Sequence, residues 1–313
     1  MLDRIMNAAV AEFRSQGGRH GEAPERPGVE VFSGRRIGTK MELKKNLAIL
    51  VAKDYELQGV MSAFGPEEWQ EVTHSVRPAH QLVRKVVRRE RDDGTIVSIW
   101  ADLVMPARQG LIDAAIVASN RLSIAEYDLM CMTGVCAGLR EAQPGNMILF
   151  TGFSEYFGVE FGERSNTPDQ LDILFDNHEV LRNFQKEDYK LKVKMSISEH
   201  CLRQGIDYDP GCFRFHVGTA ESVTGVVNNS KMIAKIEQNH RRNIAVDMES
   251  YAVALTALRF QMRDRFFVLK AMSDFGSDRN SEVRDFRKLA ALYAAMATKE
   301  LALRVLLAGP GGQ

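Results

Sequence analysis

The chain has 313 residues, with 41 Lys plus Arg balanced by 41 Asp plus Glu. That length buries a large single core, and the even charge argues against nucleic acid as a partner and for a small molecule. No apolar stretch approaches the ~20 residues that span a bilayer, the start MLDRIMNAAVAEFRSQGG lacks a signal-peptide core, and Cys131, Cys136, Cys201 and Cys212 lack CxxC spacing, which together predict a soluble cytoplasmic protein with reduced thiols and no membrane partner.

Residues 1–45 differ in texture from the rest. Leu2, Ile5, Met6, Ala9, Val10 and Phe13 fall on one side of a short predicted helix, and SQGGRHGEAPERPG reads as a flexible linker. The segment reads either as a mobile tail or as an arm docking on another subunit or partner. Residues 46–313 form the main predicted domain. They open with the buried strand LAILVA (Leu47 to Ala52), which runs into Lys53, Asp54, Tyr55 and Glu56. An amphipathic stretch, YELQGVMSAF, follows. The polar region from Val83 to Met105 carries Asp92, Asp93 and Gly94, a hairpin signal.

Gly110 opens a helical segment, LIDAAIVASNRL, which leads to the strand YDLMCM and then to Thr133 to Gly138, read as a glycine-bearing loop. Pro144 and Gly145 turn the chain into MILFTGF. From Ser154 to Asp209 the composition predicts helices and loops on the outside, with CFRFHVG (Cys212 to Gly218) as a later strand. The strand end NIAVD meets a small-residue helix, YAVALTALRF. The strand FFVLKAM ends in Ser273 and Asp274, and a long helix covers Phe286 to Leu307. Strands alternating with helices predict an α/β layered domain, and the short apolar runs read as buried strands of a parallel sheet.

In such sheets ligands bind beyond the carboxyl ends of the strands. Asp247 suits a helix N-cap there, and Glu249 falls in the first turn, where backbone N–H groups and the helix dipole favour its charged form. A charged carboxylate is a double acceptor suited to a ribose diol; the alternative is a helix-start stabiliser. Asp274 reads either as a general acid with a raised pKa or as a turn residue before Phe275, Gly276 and Ser277. Glu56 reads either as a base toward water or as part of a solvated helix face, while Asp54 is placed to cap the helix. Cleavage at an anomeric carbon requires an acid, an activated nucleophile and groups that hold the sugar, and these segments supply all three.

GVCAGL after YDLMCM, VDMES before the small-residue helix and KAMSD at a strand end occur in the order of the nucleoside phosphorylase and nucleosidase superfamily. The chain resembles this superfamily from about Leu47 to Leu307, closest to methylthioadenosine/S-adenosylhomocysteine nucleosidases and nucleosidase-like bacterial effector domains. The resemblance implies that Asp274, beside Ser273, protonates purine N7. It implies that Glu249 holds the ribose hydroxyls with Met248 under the sugar, next to Asp247, and that Glu56 orients the attacking water. It places Val135 and Cys136 in the pocket-lining loop and Ser222 and Val223 against the base, where the family's nucleosidases offer an aromatic. It also implies that residues 46–313 are the catalytic domain, a three-layer α/β/α sandwich around a twisted mixed sheet, and it implies a homo-oligomer and neither metal nor cofactor.

Where the phosphorylase branch has an Arg and a Ser to hold phosphate, this sequence has Met132 and Val135. With Glu56 present, hydrolysis of a purine nucleoside or nucleotide to free base and ribose or ribose phosphate is the expected reaction. The alternatives are phosphorolysis, or a nucleotide-sensing effector without constitutive activity. Lys53, Arg108, Arg140, Lys270 and Arg279 lie near strand ends and read either as ligands of a 5′-phosphate or as solvated surface charges. There is no GxGxxG or P-loop motif, and His20, His74, His80, His178, His200, His216 and His240 form no metal-ligand pattern.

Overall fold

The structure is a computed structural model that describes residues 35–37, 40–72, 80–139, 143–156, 173–175, 177–206, 213–225, 230–239, 243–275 and 281–308. The N-terminal helix and linker, Arg140, Arg279, Cys212, His20, His74 and His240 lie outside the described residues. In chain order the elements are β1 (Arg35–Ile37), β2 (Lys40–Leu50), α1 (Asp54–Phe64), β3 (Gln70–Glu71), β4 (His80–Glu90), β5 (Ile96–Pro106), α2 (Leu111–Ile124), β6 (Leu129–Gly138) and β7 (Met147–Tyr156). There follow β8 (Ile173–Leu174), α3 (His178–Gln185), α4 (Glu187–Gln204), β9 (Phe215–Val223), α5 (Ser230–Asn239), β10 (Asn243–Asp247), α6 (Ser250–Arg259), β11 (Phe266–Asp274) and α7 (Ser281–Leu307).

Nine strands follow the order β10-β9-β7-β11-β6-β2-β5-β4-β3, with β1 beside β2 and β8 beside β7. The sheet is mixed: β2 runs parallel to β5 and β6, and β11 parallel to β6, whereas β4 is antiparallel to β5 and β7 antiparallel to β11. One end curls until β10 pairs with β6 as well as β9, closing β6, β11, β7, β9 and β10 into a ring. The period of two along each strand sorts residues onto two cores. Leu47, Ile49, Leu129, Cys131, Phe267 and Leu269 pack under α1, α3, α4 and α7, while Ala48, Leu50, Met130, Met132, Phe266 and Val268 pack under α2 and α6. These are the three expected layers.

Several local expectations need correction. The strand read from Leu47 to Ala52 runs from Lys40 to Leu50, so Val51 and Ala52 already belong to the turn into α1. Thr133 to Gly138 is not a loop: it continues β6, paired to β11 from Leu269 to Asp274 and to β10 at Ala245 and Val246, so the ladders satisfy its backbone. The later strand lies at Phe215–Val223 rather than beginning at Cys212. Helices α3 and α4 are not merely external, because Val180, Phe184, Tyr189, Val193, Ile197 and Cys201 belong to the first core. The hairpin at Asp92 to Gly94 joins β4 to β5, and the helix after Gly110 stands where the sequence puts it.

A buried polar cluster fastens the β4–β5 ribbon to α2. Asp102 of β5 accepts from Arg84 of β4 at 2.5 and 2.9 Å, from Arg121 of α2 at 2.6 Å and from the Tyr127 hydroxyl at 2.7 Å. Arg121 is only 1% exposed, so its charge depends on this carboxylate. Asp102→Ala is expected to destabilise the fold by about 3–5 kcal/mol; a urea unfolding midpoint unchanged from wild type would show that the cluster does not hold α2.

Candidate active site

Strands β2, β6 and β11 run in one direction, so Ala52, Ser273 and Asp274 lie at the same end of the sheet. Closure of the ring brings β10 alongside, with Val246 opposite Ala137. Between these ends lies a cavity of about 190 Å³ lined by Glu56, Val135, Cys136, Val223, Asp247, Met248, Glu249, Ser273 and Asp274, together with Lys53, Tyr55, Gln109 and Arg287.

Glu56 is held by the backbone. Its Oε2 accepts from the N–H groups of Ala52 at 2.8 Å and Lys53 at 3.1 Å, and its Oε1 from that of Val135 at 2.9 Å. Gly134, with φ of 145°, makes room for it: a Cβ there would overlap the Glu56 carboxylate. Glu56 is 3% exposed. Burial raises its pKa against the lowering effect of Lys270 and the three N–H donors, which makes it a stronger base than an exposed carboxylate.

Beneath the cavity floor, Lys270 of β11 is 1% exposed. Its ammonium lies 2.8 Å from Asp247 Oδ2 and 3.9 Å from Glu249 Oε2. Burial works against the charge of Lys270, but Asp247, Glu249 and Glu56 outweigh it and hold its pKa above the ordinary lysine value. Asp247 also accepts from Ser222 Oγ at 2.6 Å and from the N–H and hydroxyl of Ser250. Glu249 has fewer partners, accepting the N–H of Gly110 at 3.1 Å. Gly110 precedes α2 at φ of 116°, a conformation open to glycine, and this turns its N–H toward the cavity.

The sequence expectation for Glu249 is reversed here. Glu249 is the N-cap position of α6, but its side chain does not cap the helix. Burial, with Asp247 and Glu56 adding like charge, pushes its pKa up to about 7 despite Lys270 and Gly110. Asp247 supplies the side-chain acceptor for the Ser250 N–H.

Asp274 closes the opposite wall. Ser273 Oγ donates to its Oδ2 at 2.8 Å, and Arg287 of α7 donates to the same oxygen from Nε at 3.1 Å and Nη2 at 2.9 Å. The Tyr55 hydroxyl is driven to a higher pKa by burial and then by Glu56, so it stays a neutral donor in this wall.

All but one of the predicted site residues line the cavity. Ser222 does not: it is buried beneath, donating to Asp247 and accepting the Tyr251 N–H at 2.9 Å. Asp54 sits inside the first turn of α1, with Lys53 at the N-cap. Of the candidate phosphate cations, Arg108 is exposed, Lys53 reaches the cavity and Lys270 is locked under the carboxylates. Met132 lies in the second core rather than in the cavity wall. Arg287, Tyr55 and Gln109 also line the cavity, with no motif in the sequence to mark them.

The phosphorylase superfamily family model matches residues 50–305. A 5′-methylthioadenosine/S-adenosylhomocysteine nucleosidase of Neisseria meningitidis, solved with methylthio-immucillin-A, shares the fold at 18% identity and a TM-score of 0.56, covering 82% of this chain and 98% of that one. The futalosine hydrolase of Helicobacter pylori does so at 14% identity and a TM-score of 0.57, covering 82% and 97%. Among curated sequences, the uncharacterized protein y4jS of Sinorhizobium fredii is 21% identical over 197 residues, covering 60% of this chain. The chain spans about half the length of that relative, 46%. With the family model running from the end of β2 into the last turns of α7, the chain belongs to the phosphorylase superfamily.

Proposed function

We propose that the protein hydrolyses the N-glycosidic bond of a purine nucleoside or nucleotide, releasing free base and ribose or ribose phosphate. The observation that carries this reading is the Glu56 carboxylate, gripped by three backbone N–H groups and facing the same cavity as Glu249 and Asp274. The solved nucleosidases of the same fold support it.

In this reading Glu56 takes a proton from water as the water oxygen bonds to C1′. The C1′–N9 electron pair leaves with the base, and the proton on Asp274 passes to N7. Arg287 and Ser273 then stabilise the Asp274 carboxylate left behind. Glu249 accepts from the ribose hydroxyls over Met248, and its negative charge favours the cationic sugar of the transition state. Phosphate is a poor fit beside C1′. Val135 has no charge to offer, Arg287 is engaged by Asp274 and Glu56 would repel a dianion. A cytoplasmic homo-oligomer belongs to the same reading, on the strength of the family resemblance and of the buried free thiols Cys131, Cys136 and Cys201.

Base release from methylthioadenosine, S-adenosylhomocysteine, adenosine, inosine, AMP and ATP, followed by chromatography, tests the reaction. Free base is expected without phosphate, with Glu56→Gln slower by about 10²–10⁴-fold. Release only with phosphate would mean a phosphorylase, and silence across the panel a sensing role.

The pH profile tests Glu249. Because its pKa is raised to about 7, the carboxylate gains a proton as pH falls through that value, and its acceptor capacity toward a diol drops. In wild type kcat/KM is expected to fall by up to about tenfold per pH unit below 7, mostly through KM. Glu249→Gln is expected to be weaker throughout and to lack this limb; an unchanged limb in that variant would assign it elsewhere.

Gly134→Ala tests the seat of Glu56. The added methyl meets the carboxylate at a positive φ, so kcat is expected to fall by about 10²-fold or more with KM little changed. Wild-type kcat in a folded Gly134→Ala protein would remove Glu56 from the reaction.

A further inference from the structure

Sharing no lining residue with the cavity of Glu56 and Asp274, a groove of about 490 Å³ lies between the last turn of α1 and helices α4 and α7. Leu292, Met296 and Leu303 of α7 give it a strip of apolar surface, and Arg89 of β4, Lys192 and Arg203 of α4 and Lys299 of α7 line it together with the carboxylates Glu199 and Glu300. Lys192 is paired with Glu300 at 2.9 Å, and Glu300 also engages Arg304.

The other three cations are differently placed. Arg89, Arg203 and Lys299 donate to the backbone carbonyls of Arg88, Glu199 and Ala63. Among the described residues none of the three is within ion-pair distance of a carboxylate, although Glu199 also lines the groove. Their field is felt locally. Lys299 is held below the ordinary lysine pKa by burial and then by Arg89, against the opposing charge of Glu300 and with Lys85 and Lys192 adding to the effect, and His200 is lowered by burial and by Arg203.

Four cations against two carboxylates, beside a strip of apolar surface, complement a ligand with an apolar body and a short chain of phosphoryl groups. The volume lies within the roughly 300–1,000 Å³ of small-molecule sites. We propose that this groove is a second ligand site, taking a nucleoside di- or triphosphate with its phosphoryl oxygens on Arg89, Arg203 and Lys299 and its base over Leu292, Met296 and Leu303. The site is separate from the catalytic cavity, and the proposal stands whatever reaction that cavity performs.

Calorimetric titration of the full chain at fixed ionic strength tests it, with ADP and inorganic pyrophosphate as probes. Saturable ADP binding is expected to persist in Glu249→Ala, which alters only the cavity, and to weaken by about tenfold or more in Arg203→Glu and in Lys299→Gln. Pyrophosphate, lacking a base, is expected to bind more weakly than ADP. Absence of saturable ADP binding, equal affinity in the groove variants, or loss in Glu249→Ala alone would overturn the site. Pyrophosphate binding as tightly as ADP would overturn the nucleotide in favour of a bare phosphate chain.

Discussion

One buried ammonium governs this molecule's chemistry. Asp247, Glu249 and Glu56 all lie within reach of the field of Lys270, and without a cation three carboxylates packed this closely cannot remain ionised out of water. Distance grades the effect. Asp247, at 2.8 Å from the ammonium and bonded to Ser222 and Ser250, has a full set of partners for its charge. Glu249, at 3.9 Å with the Gly110 N–H, is left able to change protonation near neutrality. The same lysine thus fixes one acid as structure and leaves another available to a ligand.

Strand pairing fixes where that ammonium stands. Lys270 is opposite Gly134 on β6 and Ile148 on β7, at the centre of the closed ring. Gly134, lacking a Cβ, also admits the Glu56 carboxylate, so a single register position on β6 serves two charged groups. Ring closure completes the arrangement. Because β10 pairs with β6 as well as β9, Asp247 and Glu249 turn in over the site instead of ending at an open sheet edge. The Asp102 cluster holds α2, whose N-terminal Gly110 faces Glu249, so a network remote from the cavity steadies one of its walls.

Much of this was legible because buried strands are continuous apolar runs and their ends are abrupt. LAILVA into KDYE, NIAVD into MES and FFVLKAM into SD each mark a place where the chain leaves the core, and all three places border the cavity. Where β6 ends is harder to read: TGVCAG has the glycine content of a loop, and only its pairing with β10 and β11 makes it a strand. The state of Glu249 is not legible locally, because a helix start favours charge there, whereas burial beside two acids acts through tertiary neighbours. Lys270 did leave a signal. A lysine inside FFVLKAM has no route to water and must be matched by buried acids, which rules out the role of surface cation. Arg287 left none, since it reaches Asp274 only through the placement of α7.

Lys270 and Arg287, two of the cations at the site, differ in access, and in the proposed reaction this bears on the task of each acid. Lys270 is sealed among Asp247, Glu249 and Glu56, so the charge balance on that side changes only when a ligand or a proton enters the cavity. Arg287 is about one-fifth exposed, with a side-chain exposure of 21%, and it binds Asp274 from the solvent side of the wall. An acid that must regain a proton in every cycle needs a path to water, and a carboxylate that binds a sugar diol needs the opposite, a dry and fixed seat. Asp274 beside Arg287 meets the first requirement and Glu249 above Lys270 meets the second. Within the proposed reaction it is access to water that fits Asp274 to proton transfer, since a cation beside a carboxyl group by itself favours the charged form, and the dry seat above Lys270 fits Glu249 to the sugar.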